Sequence, residues 1–229
     1  TVDQGDSLDR IGDSSVVVLA MPVDAIIQAL PHLAAIVRRE ALVIDTGSTK
    51  RAVMAAAATA GLSQFVGGHP MAGSTTAGPS EARADLFDGK VWFLANPEEP
   101  EAIQRAVDFV EALGARAVVM TDRGEEHDRL MAAVSHLPQL VASALMVTVT
   151  RAIGEGNLQW AGNGLRDTTR LAGSPADVWE SIVATNRQEI TPLLRLMAAE
   201  LVHLSDRLDD REAVRALFDE AARAKSSCL

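Results

Sequence analysis

The sequence predicts an α/β protein: a largely parallel sheet covered by helices on both faces, followed by an all-helical half. Three observations predict it. Short, wholly apolar runs of strand length alternate with segments of helical period up to about residue 120. No strand-like run follows Asp122. Hydrophobic residues make up 48% of the chain, enough for a buried core, and charged residues an ordinary 23%.

The first half reads in order. Ser15–Met21 (SVVVLAM) is a continuous apolar run closed by Pro22, as expected of a buried strand. From Asp24 to Arg38, Ile26, Ile27, Leu30, Leu33, Ile36 and Val37 recur at helical spacing. Ala41–Asp45 is a second strand, and Lys50–Ala60 a second helix ended by Gly61. Gln64–Gly68 and Lys90–Ala95 are the third and fourth strands. Glu99–Leu113 is a helix and Arg116–Met120 a fifth strand. Thereafter Glu125–Ile153, Pro175–Leu204 and Asp206–Ala224 read as helices. The boundary falls near residues 121–125 and divides the chain into 1–123 and 124–229.

Leu130–Thr150 holds 21 residues without a charge, flanked by Arg129 and Arg151. That length spans a bilayer. Ser135, His136, Pro138, Gln139, Ser143, Thr148 and Thr150 argue instead for a helix buried on nearly all sides, in a domain or subunit core. Pro138 is expected to kink it and free a carbonyl one turn back. Polar residues at such a kink often line a cavity.

Composition excludes several functions. Lys plus Arg number 21 against 31 Asp plus Glu, a net charge of −10, which disfavours nucleic acid as a partner. A small anionic substrate requires a local basic cluster. The single cysteine, Cys228, supports neither an internal disulfide framework nor a thiolate metal cage. With five Phe, three Trp and no Tyr, stacking platforms are scarce. Trp92, Trp160 and Trp179 are expected to be core or interface anchors. No apolar leader opens the sequence, so a cytoplasmic protein that is not membrane-bound is expected.

Five segments carry candidate chemistry. Asp45-Thr-Gly-Ser-Thr-Lys50 follows a strand and opens a helix, where ligands collect in open α/β sheets. Ser48 there either caps the helix or faces a ligand. His69 stands at the end of a strand within Gly67-Gly-His-Pro-Met-Ala-Gly-Ser74. It is either a proton carrier or a hydrogen-bonded turn residue. His127-Asp128 and Ser135-His-Leu-Pro-Gln139 lie at the start and middle of the uncharged helix. His127 and His136 are nine residues apart, do not share a face closely and lack a third partner, so no metal site is expected. Arg166 and Arg170 are the basic cluster that the charge argument requires. At i, i+4 they would share one helical face and grip a dianion, or else stand as surface residues.

Together these motifs resemble the prephenate and arogenate dehydrogenase family of tyrosine biosynthesis. The resemblance rests on Val18-Leu-Ala-Met-Pro-Val23, Asp45-Thr-Gly-Ser-Thr-Lys50, Gly68-His-Pro-Met-Ala-Gly73, His127-Asp128, Ser135-His-Leu-Pro138 and Arg166-Asp-Thr-Thr-Arg170, in the family's order and across nearly all of the chain. It implies a partial, truncated Rossmann-type nucleotide-binding domain at 1–123 and a helical substrate-binding and dimerisation domain at 124–229. The implied reaction is oxidative decarboxylation of prephenate to 4-hydroxyphenylpyruvate, or of arogenate to tyrosine, with hydride transfer to NAD or NADP. By the same resemblance His69 takes the ring hydroxyl's proton and Ser48 assists there. Arg170 binds a substrate carboxylate, and Arg166, His136, Gln139 and Ser74 line the pocket. Met21, Pro22, Thr46 and Ser48 lie on the cofactor side, and the protein is a homodimer.

The sequence departs from the family in two places. Gln139 stands where the family often has His, which leaves prephenate and arogenate both open. The Gly-x-Gly-x-x-Gly turn that opens the family's nucleotide-binding domain does not occur; Gly154-Glu-Gly156 and Gly162-Asn-Gly164 have the wrong spacing. On the order of 50–70 further residues are expected ahead of Thr1, given about 30 per strand–helix unit. Two alternatives follow: a catalytically silent dimeric module, or a β-hydroxyacid-type dehydrogenase. The latter usually places a catalytic Lys on a long helix, and Leu130–Thr150 has none.

Overall fold

The computed structural model describes residues 8–72, 82–96 and 98–227. After a 3-10 turn at Leu8–Asp13 come β1 (Val16–Leu19), α1 (Val23–Ile36), β2 (Leu42–Asp45), α2 (Arg51–Thr59) and β3 (Phe65–Pro70). β4 (Val91–Ala95), α3 (Pro100–Ala112) and β5 (Arg116–Val119) complete the sheet half. The strands lie in the order β1-β2-β3-β4-β5. β1, β2 and β3 run parallel, β4 is antiparallel to β3, and β5 is parallel to β4. The sheet is therefore largely parallel, with one reversal between β3 and β4.

Side chains alternate across the strands and build two cores. Val17, Leu19, Val43 and Phe65 pack with Ile26, Leu30 and Leu33 of α1 and Val53 and Met54 of α2. On the other face Leu42, Ile44, Val66, Trp92 and Leu94 meet Ala102, Ala106 and Val110 of α3, whose alanines admit a close approach. Each of these large side chains, fully buried, contributes about 1.5–3 kcal/mol. Among the described residues β1 stands at the edge of the sheet, and its Val16 and Val18 are exposed.

The helical half comprises α4 (Glu125–Met131), a π-helical turn (Ala132–His136), α5 (Leu137–Ile153), α6 (Asn163–Thr168), α7 (Ala176–Thr185), α8 (Arg187–Ser205) and α9 (Arg211–Ser226). The kink expected from Pro138 takes the form of the π turn, in which Leu137 N–H donates to the Ala132 carbonyl. The wider turn makes room for a proline ring that has no N–H to donate. By length and composition Glu125–Ile153 is apolar enough to cross a membrane, but only 28% of its most apolar window is buried within the chain. The expected burial on nearly all sides is not reached in one subunit.

Two further expectations change. The helix expected over 175–204 is two helices, because Asn186 leaves helical geometry (φ −120°) and turns its side chain to other partners. Arg166 and Arg170 do not share a helical face: α6 ends at Thr168 and Arg170 opens a 3-10 turn, Arg170–Gly173. Thr168 and Thr169 turn their hydroxyls back onto the carbonyls of Gly164 and Leu165, which weakens the helix end. Trp92 is buried, whereas Trp160 is 79% exposed in the single chain.

Candidate active site

The site is built where β2 and β3 end against α4. Asp45, the last residue of β2, is fully buried. Its carboxylate accepts the N–H groups of Gly47 (2.9 Å) and Gly68 (2.8 Å) and pairs with the buried ammonium of Lys50. Ser48 does not cap α2. That role falls to Asp128 of α4, which accepts from Lys50 N–H at 2.7 Å and Arg51 N–H at 3.1 Å. A carboxylate at a helix N-terminus satisfies orphan donors and complements the dipole. Ser48 is half-buried, and its hydroxyl has no hydrogen bond among the described residues.

A chain of three side chains starts from the same carboxylate. Asp128 Oδ1 lies 2.8 Å from His127 Nδ1, and His127 Nε2 lies 2.8 Å from His69 Nδ1. Asp128 only accepts, so His127 carries its proton on Nδ1. Its Nε2 is then the acceptor, and His69 donates through Nδ1–H. That leaves the lone pair of neutral His69 on Nε2, free for a proton. The tautomer follows from the network rather than from visible hydrogens. Phe93, the register partner of His69 on β4, sets its ring edge-on to His127 at 5.4 Å.

The electrostatics favour neutral imidazoles. Burial holds His69 well below its ordinary range, and His127, Lys50 and His136 add to this. Burial also lowers His127, against the opposing pull of Asp128. Lys50 is lowered by burial and held up by Asp45. His136 is lowered to about 4, chiefly by burial.

His136 sits behind the chain in the π turn, fully enclosed. Asn186 Nδ2 donates to the Asp128 carbonyl (2.7 Å) and faces His136 Nδ1 at 3.2 Å. His136 thus carries its proton on Nε2, which has no hydrogen-bond partner among the described residues. Its ring lies edge-on to Trp179 at 5.9 Å. Trp179 in turn lines a cavity of about 500 Å³ with Gln139, Ser143, Ser174, Glu180 and Val183. Gln139 is buried and already engaged: it donates to the Leu171 carbonyl (2.7 Å) and accepts from Ser174 (3.1 Å). It ties the turn that begins at Arg170 to α5.

The remaining expected site residues are placed as follows. Arg170 is exposed at the start of that turn. Arg166 is exposed and donates to the Ala161 carbonyl. Met21 and Pro22 follow β1, and Thr46 follows β2, with its N–H on the Leu19 carbonyl at 3.1 Å. Ser74 lies outside the described residues. The two halves are pinned by Asp24 N–H on Ser181 (3.0 Å), Thr49 on Thr185 (2.8 Å) and an Arg51–Glu189 ion pair (3.0 Å). The sequence flagged His127-Asp128 and the Asp45–Lys50 segment as motifs without giving His127, Asp128, Asp45 or Lys50 a role, and Asn186 went unmarked. The adjacent His-Asp pair opening an uncharged helix was the available signal.

Residues 1–119 match the family model described as prephenate dehydrogenase, nucleotide-binding domain. Residues 123–220 match prephenate dehydrogenase, dimerization domain. A prephenate dehydrogenase of Bacillus subtilis is 32% identical over 82% of this chain and 52% of its own length. The chain thus spans about half of that relative. A cyclohexadienyl dehydrogenase of Zymomonas mobilis is 28% identical over 96% of this chain and 77% of its own. Among solved structures, Aquifex aeolicus prephenate dehydrogenase in complex with hydroxyphenyl propionate and NAD+ superposes with a TM-score of 0.86. It is 27% identical, and the match covers 97% of this chain and 79% of that one. With both halves matched in order and the fold shared, the chain belongs to the prephenate dehydrogenase family.

Proposed function

We propose that this protein is a nicotinamide-dependent dehydrogenase that oxidatively decarboxylates prephenate or arogenate, with His69 as the base. The observation that carries the proposal is the Asp128–His127–His69 chain, which leaves His69 Nε2 unprotonated beside the ends of β2 and β3. A buried carboxylate that fixes an imidazole's tautomer is the logic of hydrolase triads, here extended by one histidine.

His69 Nε2 accepts the proton of the ring hydroxyl as hydride leaves the carbon that bears it. The positive charge that develops is shared with His127 and met by Asp128. Loss of the ring carboxylate as CO2 returns its electron pair to the ring, which becomes aromatic. The proton passes back to the phenolic oxygen, so His69 ends the cycle neutral. Arg170 grips a substrate carboxylate with its guanidinium. Gln139 holds the turn that carries Arg170. Arg166, exposed four residues before Arg170, offers a second cation to the same substrate.

The nicotinamide, when bound, supplies the hydride acceptor. The residues present fit its reactive end: β1 and β2 are adjacent and parallel, so Met21, Pro22, Thr46 and Ser48 sit side by side at their carboxyl ends. The Ser48 hydroxyl, without a hydrogen bond among the described residues, is available to a ligand there.

We read the functional unit as a cytoplasmic homodimer. The helical half leaves Leu196, Leu201, Val202, Leu208 and Phe218 exposed, Phe218 by 70%. An apolar surface of this kind marks an interface, and the matched dimerization model covers the same helices. The test pairs prephenate and arogenate with NAD and NADP and follows the reduced nicotinamide by absorbance. Turnover with at least one pair supports the proposal; none with any pair refutes it. Light scattering reads the dimer.

A further inference from the structure

We infer that Lys50 is a positioning residue for the His69–His127 pair: a buried cation whose stem joins the two elements that carry the histidines. The inference rests on the reading of His69 as the base. The mechanism above gives Lys50 no task, yet its side chain is 1% exposed and its ammonium pairs with Asp45. A buried ion pair is weak evidence for stability, since apolar residues of similar volume often serve the fold as well.

Its placement points to the histidines instead. The stem runs between β3 and the turn before α4. A Cβ added at Gly67 would stand 3.2 Å from Lys50 Cδ, and one at Gly124 would stand 2.3 Å from Lys50 Cβ. Gly124 also holds φ +103°, which disfavours any side chain. Gly67 precedes His69 by two residues, and Gly124 precedes His127 by three. The Lys50 N–H donates to Asp128 Oδ1, the same oxygen that receives His127 Nδ1–H. One residue therefore touches the base's strand, its partner's helix and the terminal carboxylate.

The titratable groups around His69 are His127 from α4, Lys50 from the β2–α2 loop and His136 from the π turn, all opposing its protonation. Asp128 and Asp45 act on the neighbouring His127 and favour its protonation, while Lys50 opposes it. Removing the Lys50 charge thus makes His69 easier to protonate, and the base is lost at a higher pH.

The experiment compares the pH dependence of kcat/KM for the wild type, Lys50→Met and Lys50→Arg, since its acid limb reports the free base. In Lys50→Met the limb is expected to move upward by about one pH unit. In Lys50→Arg, which keeps the charge, the limb stays in place. A rate that falls equally at every pH in Lys50→Met, with the limb unmoved, overturns the inference and leaves Lys50 a packing residue. If Lys50→Met does not fold with Asp45 left uncompensated, Asp45→Asn/Lys50→Met is compared with Asp45→Asn alone, which isolates the Lys50 charge: a higher limb in the double variant supports the inference, and equal limbs overturn it. His69→Asn separates the two levels: undiminished turnover there removes the base itself, whereas lost turnover with an unmoved limb in Lys50→Met removes only the role of Lys50.

Discussion

Asp128→Asn tests the hydrogen-bonded chain at its origin. The carboxylate accepts from His127 Nδ1 at 2.8 Å, Lys50 N–H at 2.7 Å and Arg51 N–H at 3.1 Å. An asparagine keeps one oxygen and offers an NH2 in place of the other. If the oxygen stays on Arg51 N–H, the NH2 takes the place of Oδ1, leaves Lys50 N–H without its acceptor and faces His127 Nδ1, whose proton is displaced to Nε2. His127 then donates to His69 Nδ1, and the His69 proton moves to Nε2, where the substrate hydroxyl needs a lone pair. Inverting a base's tautomer in this way costs about 10⁴ in kcat in serine-protease triads. With an extra histidine in the chain, a loss of about 10²–10⁴ is expected. Stability falls too, by about 2–4 kcal/mol for the weakened contacts to a buried charged group. That leaves a folded protein in a domain of ordinary stability. Steady-state formation of reduced nicotinamide, with a thermal melt of the same sample, separates the effects. A folded Asp128→Asn with turnover within about threefold of wild type would refute the tautomer argument and reduce Asp128 to a helix cap.

Arg170→Ala is expected to raise KM by roughly 10- to 100-fold with little change in kcat, as for a charge-assisted ground-state contact; an unchanged KM places the anion site elsewhere. Phe218→Asp puts a charge on the exposed apolar face of α9 and is expected to shift the protein towards monomer by light scattering, and an intact dimer would move the interface off that face. His136 has a folded pKa of about 4 against 6.5 unfolded. The unfolded chain therefore binds more protons between these values, and stability present above pH 6.5 is lost as pH falls towards 4, by about 3 kcal/mol from this group. Melts of the wild type and His136→Gln across that range check the sign: the variant is expected to lose less.

The sheet was legible because its strands are short apolar runs punctuated by Pro22, Gly61 and the Gly67-Gly68 pair, signals that act locally. α4 to α5 was legible as one apolar helix, although Pro138 told only that something must yield and not that a π turn would. The split at Asn186 was hidden, because its cause is a side chain recruited by Asp128 and His136, 58 and 50 residues away in sequence. The site divides in the same way. His69 stood out by its glycines, but its partner His127 is also 58 residues distant. Capping of α2 from Asp128 crosses 78 residues. Local pattern encodes an element and its faces; it does not encode which face closes on which. The Arg166–Arg170 spacing misled for the opposite reason, since two threonine hydroxyls end the helix between them.

The claim beneath all of this is that His69 Nε2 takes the substrate's proton. Turnover of His69→Asn, measured beside substrate binding, tests it most directly. A fall in kcat of at least about 100-fold, with binding changed only a few-fold, is the expected result. Near-normal turnover in a folded His69→Asn would contradict it.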